Sequence, residues 1–226
     1  MKVIQLLFIL VLTIASANSY GGVFLEPLRG TNQLFRGRQP TTAEVSQLPF
    51  QGITSVLIFK NETQNEVQEE INQLRQAGFD PLKIYHIPMQ WQDAPPEKMA
   101  CEQVISALQV LANVLQSPNE KILFHCTLGE DRTGLLTGLM TQLMNPVTTE
   151  EAYVSEMCQK GYSGGNKKKP NFIQQQVDKN LTPLFFKLSM LIQSRQLRLD
   201  NLNKNVCRDL ALVQSNVILC RDIMAK

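Results

Sequence analysis

From Gln33 onward the chain alternates short apolar runs with longer amphipathic ones, and this alternation narrows the possible folds sharply. Leu34-Phe35-Arg36 reads as a short strand. Ile53–Phe59, rich in β-branched and apolar residues, reads as a buried one, and Lys83–Pro88 and Lys121–His125 supply two more. Between them lie helical patterns. Thr41-Thr42-Ala43-Glu44 is a capping box, whose hydroxyl and carboxylate satisfy free amides at a helix start. Asn65–Ala77 reads as a helix stopped by Gly78, and Glu97–Leu115 is strongly periodic. Further helices are expected from about Thr133 to Met144 and from about Thr149 to Lys160, the second headed by the box Thr148-x-x-Glu151. The order predicts an α/β fold: a central, mainly parallel sheet of about four to five strands, flanked by helices. Residues 170–226 read as additional helices rich in Gln, Asn and Leu, forming either an integral cap or a loosely attached subdomain.

The N-terminus has its own pattern. Lys2 is followed by an apolar run from Val3 to Ile14 and then Ala15-Ser16-Ala17, as in a secretory signal. The run is too short to span a bilayer, which takes about 20 apolar residues. The expected division is therefore a signal peptide over 1–17, a catalytic domain over 18–165 and a helical extension over 166–226. The mature protein is expected in the periplasm or secreted, with no stable membrane insertion. The formal net charge is +2, too small a surplus for a general nucleic-acid binder. Lys167-Lys168-Lys169 is the one basic run; it reads as a solvated loop rather than an electrostatic lip for an anion.

The chemistry concentrates in HCTLGEDRTG, residues 125–134, where a strand meets a tight loop and a helix start. Amides at a helix N-terminus lack intrahelical partners and carry partial positive charge, so an anion can sit among them. Gly129 lets the backbone turn so that successive amides converge. Cys126 enters the same cradle, where donors that hold a phosphate also favour a thiolate, and a thiolate there is a nucleophile aimed at phosphorus. Arg132 adds a permanently charged fork for two phosphate oxygens. Thr133 places a hydroxyl beside it, able to donate to the sulfur as it departs. The lysine and spacing of a nucleotide-binding P-loop are missing, so ATP or GTP is not implied.

HCTLGEDRTG resembles the signature of cysteine-dependent protein-tyrosine-phosphatase-type enzymes, most of all the dual-specificity group. Leu34-Phe35-Arg36-Gly37-Arg38-Gln39-Pro40 is similar to the opening strand and turn of bacterial members, and the likeness runs roughly from Gln33 to Gly161. The resemblance implies a bacterial exported member with a phosphocysteine intermediate on Cys126. It implies phosphate held by the backbone of Thr127, Leu128, Gly129, Glu130, Asp131 and Arg132, with no metal and no cofactor. His125 would sit behind the loop, orienting it and tuning the thiol. Asp93, in Trp91-Gln92-Asp93-Ala94-Pro95-Pro96, lies after the third strand at a separation from Cys126 like that in dual-specificity enzymes, and is the expected general acid. Glu130 stands where some bacterial relatives have lysine; it either weakens attraction for polyphosphorylated inositols or points to solvent. Asp131 competes with Asp93 as proton donor. The expected partner is a phosphorylated substrate, whether phosphoprotein, inositol phosphate or phosphoinositide, and the expected reaction is phosphomonoester hydrolysis. The alternatives are a phytase-like or phosphoinositide phosphatase, and a module that binds phospho-ligands without turnover.

Five cysteines in an exported chain leave one thiol over if the others pair. Cys126 is the expected odd one. Cys207 and Cys220, taken to flank a C-terminal helical hairpin, are a first guess for a pair. Cys101 with Cys158 is the second expected pair; a reversible disulfide of one of these with Cys126 competes with it.

Overall fold

A computed structural model describes residues 24–90 and 97–225. The proposed signal segment and Asp93 with its neighbours lie outside the described residues. The sheet has five strands: β1 (Glu26–Pro27), β2 (Leu34–Arg38), β3 (Ser55–Ile58), β4 (Ile84–His86) and β5 (Ile122–Cys126). They lie in the order β1-β2-β5-β3-β4, with β1 antiparallel to β2 and every other pairing parallel. The α/β fold with a mainly parallel sheet is thus as expected. β1 is the strand that the apolar pattern does not reveal, being two residues at an edge with a proline in it.

The helices are α1 (Thr42–Val45), α2 (Glu66–Gln76), α3 (Glu97–Leu115), α4 (Asp131–Met144), α5 (Thr149–Ala152), α6 (Asn171–Gln176), α7 (Thr182–Gln193) and α8 (Cys220–Met224). Thr41 caps α1 in the full box expected with Glu44. Of the box expected at Thr148 only half forms: Thr148 accepts from the Glu151 amide ahead of α5, while the Glu151 carboxylate accepts from Arg29 Nη1 instead. The turn of α5 runs on through π-helical Tyr153–Met157 and 3₁₀ Cys158–Lys160, ending at Gly161 with φ +89°. That continuous path is the single helix expected over Thr149–Lys160.

β5 is buried on both faces, and alternate residues separate two cores. Leu123 packs with Val45, Val67 and Leu74 of α1 and α2, whereas Ile122 and Phe124 pack on the opposite side with α3 and α4. The period of two along a strand therefore aims His125 at α2 and Cys126 at the other face. α4 is buried nearly all round, and its glycines allow this: a Cβ on Gly138 would lie 2.8 Å from Met157 Sδ and 2.9 Å from the Phe185 ring. The C-terminal residues Leu184, Phe185, Leu188 and Leu210 belong to the same core as α3 and α4, so the extension packs as part of the body rather than beside it.

The cysteines pair differently from the expectation. The disulfides are Cys101–Cys207 and Cys158–Cys220, and Cys126 alone is free. Neither Cys207–Cys220 nor Cys101–Cys158 forms. Residues 207–220 do not make a helical hairpin: a short 3₁₀ turn at Leu210–Leu212 gives way to a stretch without helix before α8. That stretch carries Cys220 away from Cys207, leaving Cys207, at the end of a 3₁₀ turn over Lys204–Cys207, bonded to Cys101 of α3, and Cys220 bonded to Cys158.

Candidate active site

The loop from Cys126 to Asp131 joins the end of β5 to the start of α4. Gly129 has φ +72°, and a Cβ there would lie 2.5 Å from Gly37 O and 2.7 Å from Arg38 N, so both its backbone angle and its close approach to β2 require glycine. Arg36 holds the loop from beneath. Buried in β2, it donates through Nη2 to Gly129 O (2.8 Å) and through Nη1 to Glu156 O (2.6 Å). The Gln39 amide donates to Thr127 O, tying the loop to the end of β2 as well. Among the described residues, the amides of Leu128 to Arg132 have no protein acceptor. They therefore remain as donors for an anion.

Cys126 is 3% exposed, at the floor of this loop. Burial pushes its thiol pKa up, but the Arg132 charge and the hydroxyl and amide of Thr133 hold it below the ordinary cysteine value, against a smaller opposing effect from Asp131. Thr133 Oγ1 is buried without another hydrogen-bond partner among the described residues, leaving it to serve the sulfur. Arg132 stays at the mouth, where its Nη2 donates to Thr127 Oγ1 at 3.3 Å, a long and replaceable bond. Leu128 is half exposed at the rim.

The carboxylates of Glu130 and Asp131 turn away from solvent, so of the two alternatives for Glu130 the solvent-facing one is corrected. Glu130 is 6% exposed, with Oε1 accepting from Asn166 Nδ2 at 3.0 Å and Oε2 lying 3.0 Å from Lys169 Nζ. Asp131 Oδ1 accepts from Lys169 Nζ at 2.5 Å and from the Ser163 amide at 2.9 Å. Lys169 is itself buried, so the basic run is not simply a solvated loop: its last member neutralises two carboxylates at the end of the Cys126–Asp131 loop.

His125, next to Cys126 in β5, is fully buried. Its Nε2 lies 2.8 Å from Glu70 Oε1, and its Nδ1 lies 3.1 Å from Cys126 O. Three contributors escape the sequence reading: Arg36, Glu70 and Lys169. Glu70 did leave a trace, since it shares the buried stripe of α2 with Val67 and Leu74, where a carboxylate needs a partner. Lys169 left none, because its partners are about forty positions away in sequence.

This sheet, loop and thiol define a cysteine-based phosphatase scaffold. Residues 28–152, more than half of the chain, match the model of the tyrosine phosphatase family, and the chain belongs to that family. It is 33% identical over 72 residues to inositol diphosphatase DSP5 of Arabidopsis thaliana, covering 32% of this chain and 34% of the relative. It is 33% identical over 78 residues to inositol diphosphatase SIW14 of Saccharomyces cerevisiae strain ATCC 204508 / S288c, covering 34% and 26%. The chain thus spans about a third or less of the length of these curated relatives. Among solved structures, it resembles Tk-PTP in a mutant form (TM-score 0.52, 17% identity, 76% of this chain and 97% of that one). The Siw14 catalytic core is similar too (TM-score 0.50, 18% identity, 76% and 91%). At those identities the structural likeness bears on the fold.

Proposed function

We propose that this chain hydrolyses phosphoric monoesters through a phosphocysteine intermediate on Cys126. The observation that carries the reading is a free thiol, favoured as thiolate by Arg132 and Thr133, at the floor of a loop whose amides from Leu128 to Arg132 have no acceptor among the described residues. The sulfur attacks phosphorus as the bond to the substrate oxygen breaks. Arg132 and the loop amides of Thr127, Leu128, Gly129, Glu130 and Asp131 hold the equatorial oxygens through the transition state. Asp93 gives its proton to the departing oxygen. Water then attacks the phosphocysteine with Asp93 as base, and the Thr133 hydroxyl donates to the leaving sulfur. Occupation of Asp131 by Lys169 and the Ser163 amide supports Asp93 over Asp131 as the acid.

The names of the relatives favour a second substrate class, inositol diphosphates. The two differ in chemistry. A phosphate leaving group departs as a stable anion and needs little protonation, whereas an alkoxide needs an acid. A panel of phosphotyrosine peptide, phosphoserine peptide, phytate, inositol diphosphate and phosphoinositide, run with Cys126→Ser and Asp93→Asn, tests both readings. Cys126→Ser is expected to lose turnover on every substrate; retained activity refutes the mechanism. Asp93→Asn is expected to lose about 10²–10⁴-fold on alkyl phosphates and far less on a diphosphate. Export is part of the same reading, supported by the 1–17 pattern and by two disulfides, which persist in oxidising compartments. Mature N-terminal sequencing tests it; a mature chain that still begins at Met1 counts against a cleaved signal.

A further inference from the structure

Ser163 has an uncommon backbone for a residue with a side chain. Its φ is +46°, in the left-handed range, and it is 1% exposed. Such an angle persists only where the surroundings impose it.

The surroundings of Ser163 are specific. Its hydroxyl donates to Asp178 Oδ1, and Asp178 Oδ2 lies 3.2 Å from Arg221 Nη2 of α8. The next two residues are confined by close approach. A Cβ on Gly164 would meet Arg221 Cβ at 3.1 Å, and one on Gly165 would fall 2.0 Å from the Cys158 carbonyl oxygen. The Cys158–Cys220 disulfide joins those two walls.

What this angle aims is the Ser163 amide, which donates to Asp131 Oδ1 at 2.9 Å. Asp131 directly precedes Arg132, and an unclaimed carboxylate there competes with phosphate for the guanidinium. Here it does not. Asp131 is held by Ser163 and Lys169, and among the described residues Arg132 has no carboxylate partner; its Nη2 donates to Thr127 Oγ1. Even so held, the Asp131 charge opposes the Cys126 thiolate.

We propose that Ser163 is a positioning residue of the active site: its left-handed backbone aims an amide that keeps the Asp131 carboxylate off Arg132, leaving the guanidinium to the substrate phosphate. The proposal rests on the phosphatase reading, in which Arg132 and the loop amides hold phosphate. It brings into the site a segment that lies beyond the matched family region, residues 28–152.

The test uses the full, disulfide-intact protein, with inorganic phosphate as the probe. Cys126 is the free thiol, so the slowing of its alkylation by iodoacetamide as phosphate is added reads phosphate affinity without turnover. Ser163→Gly and Ser163→Ala both delete the hydroxyl and keep the amide. Glycine takes the left-handed angle freely, whereas alanine leaves it once the bond to Asp178 is gone. Ser163→Gly is expected to bind phosphate nearly as the wild type does, and Ser163→Ala about tenfold more weakly. With Asp131→Asn added there is no charge to restrain, so the two variants should become equal; a merely structural defect would persist. Equal affinities without that addition, or a difference that survives it, overturn the proposal. A second measurement needs no change at Ser163. The Ser163 amide proton resonance should move upfield on Asp131→Asn, as a charge-assisted hydrogen bond becomes a neutral one, and an unmoved resonance overturns the proposal as well. Phosphate that fails to slow alkylation of the wild type refutes the phosphate-binding reading itself, and the positioning role falls with it.

Discussion

Lys169 Nζ lies 2.5 Å from Asp131 Oδ1 and 3.0 Å from Glu130 Oε2, with all three side chains largely hidden from water. One cation from the extension thus neutralises the two carboxylates that follow Gly129. The contact joins residues outside the matched family region to the loop that defines the family. Removing the ammonium strands two charges in a poorly solvated place. Lys169→Met is expected to lower stability by about 3–5 kcal/mol, read by urea denaturation, and to weaken inhibition by inorganic phosphate. Adding Glu130→Gln and Asp131→Asn should recover most of the stability. A single variant as stable as the wild type overturns this view of the contact.

Gly129→Ala meets two obstacles at once. Its backbone sits at φ +72°, and the new methyl would fall 2.5 Å from Gly37 O. The left-handed angle alone costs roughly 1–2 kcal/mol for an L-residue, and relief of the clash must push the loop off β2. The expected outcome is a lower melting temperature with a disproportionate loss of phosphate binding. Calorimetry beside a phosphate inhibition curve checks it; unchanged inhibition contradicts the placement.

The disulfide pattern is directly measurable. Denatured, unreduced protein should present one thiol to a colorimetric reagent, and after reduction five. Peptide mapping should link Cys101 with Cys207 and Cys158 with Cys220. The bridges close loops of 106 and 62 residues, so chain entropy assigns each about 4–5 kcal/mol. Reduction should lower the melting temperature accordingly.

Acid sensitivity has one traceable contributor at the α1 cap. Burial pushes the Glu44 pKa up, but Arg38 and both the amide and hydroxyl of Thr41 pull it below the ordinary carboxylate value. The folded chain therefore holds fewer protons here than the unfolded chain. This stability is present above the unfolded value and is lost as pH falls through the folded one. With the pair partly solvated, it amounts to about 0.2–1 kcal/mol. Glu44→Gln should flatten the acid limb of a stability–pH curve by that amount, and an unaltered limb contradicts it.

The sheet and its parallel order were legible because burial on both faces writes continuous apolar runs, as at Ile122 to Phe124. Cys126, Gly129 and Arg132 were legible because the loop is local: strand end, turn and helix start follow each other within ten residues. Asp93 lies outside the described residues, so its role stands on sequence alone. The support beneath the loop was not legible. Arg36, Glu70 and Lys169 act across long sequence separations, and each reads in isolation as a strand, helix or loop residue. The cysteine partners failed for the same reason. Their pairing depends on where residues 207–220 travel, and no periodic pattern encodes that path.

The two bridges interleave along the chain: the first cysteine joins the fourth and the third joins the fifth, skipping the second. A chain oxidised in the order of its synthesis meets Cys126 as the earliest available match for Cys101, long before Cys207 exists. That premature link would tie up the thiol proposed as nucleophile. Correct maturation then depends on thiol–disulfide exchange that hands Cys101 on to a latecomer, so recombinant yield should track isomerase supply more than oxidant strength.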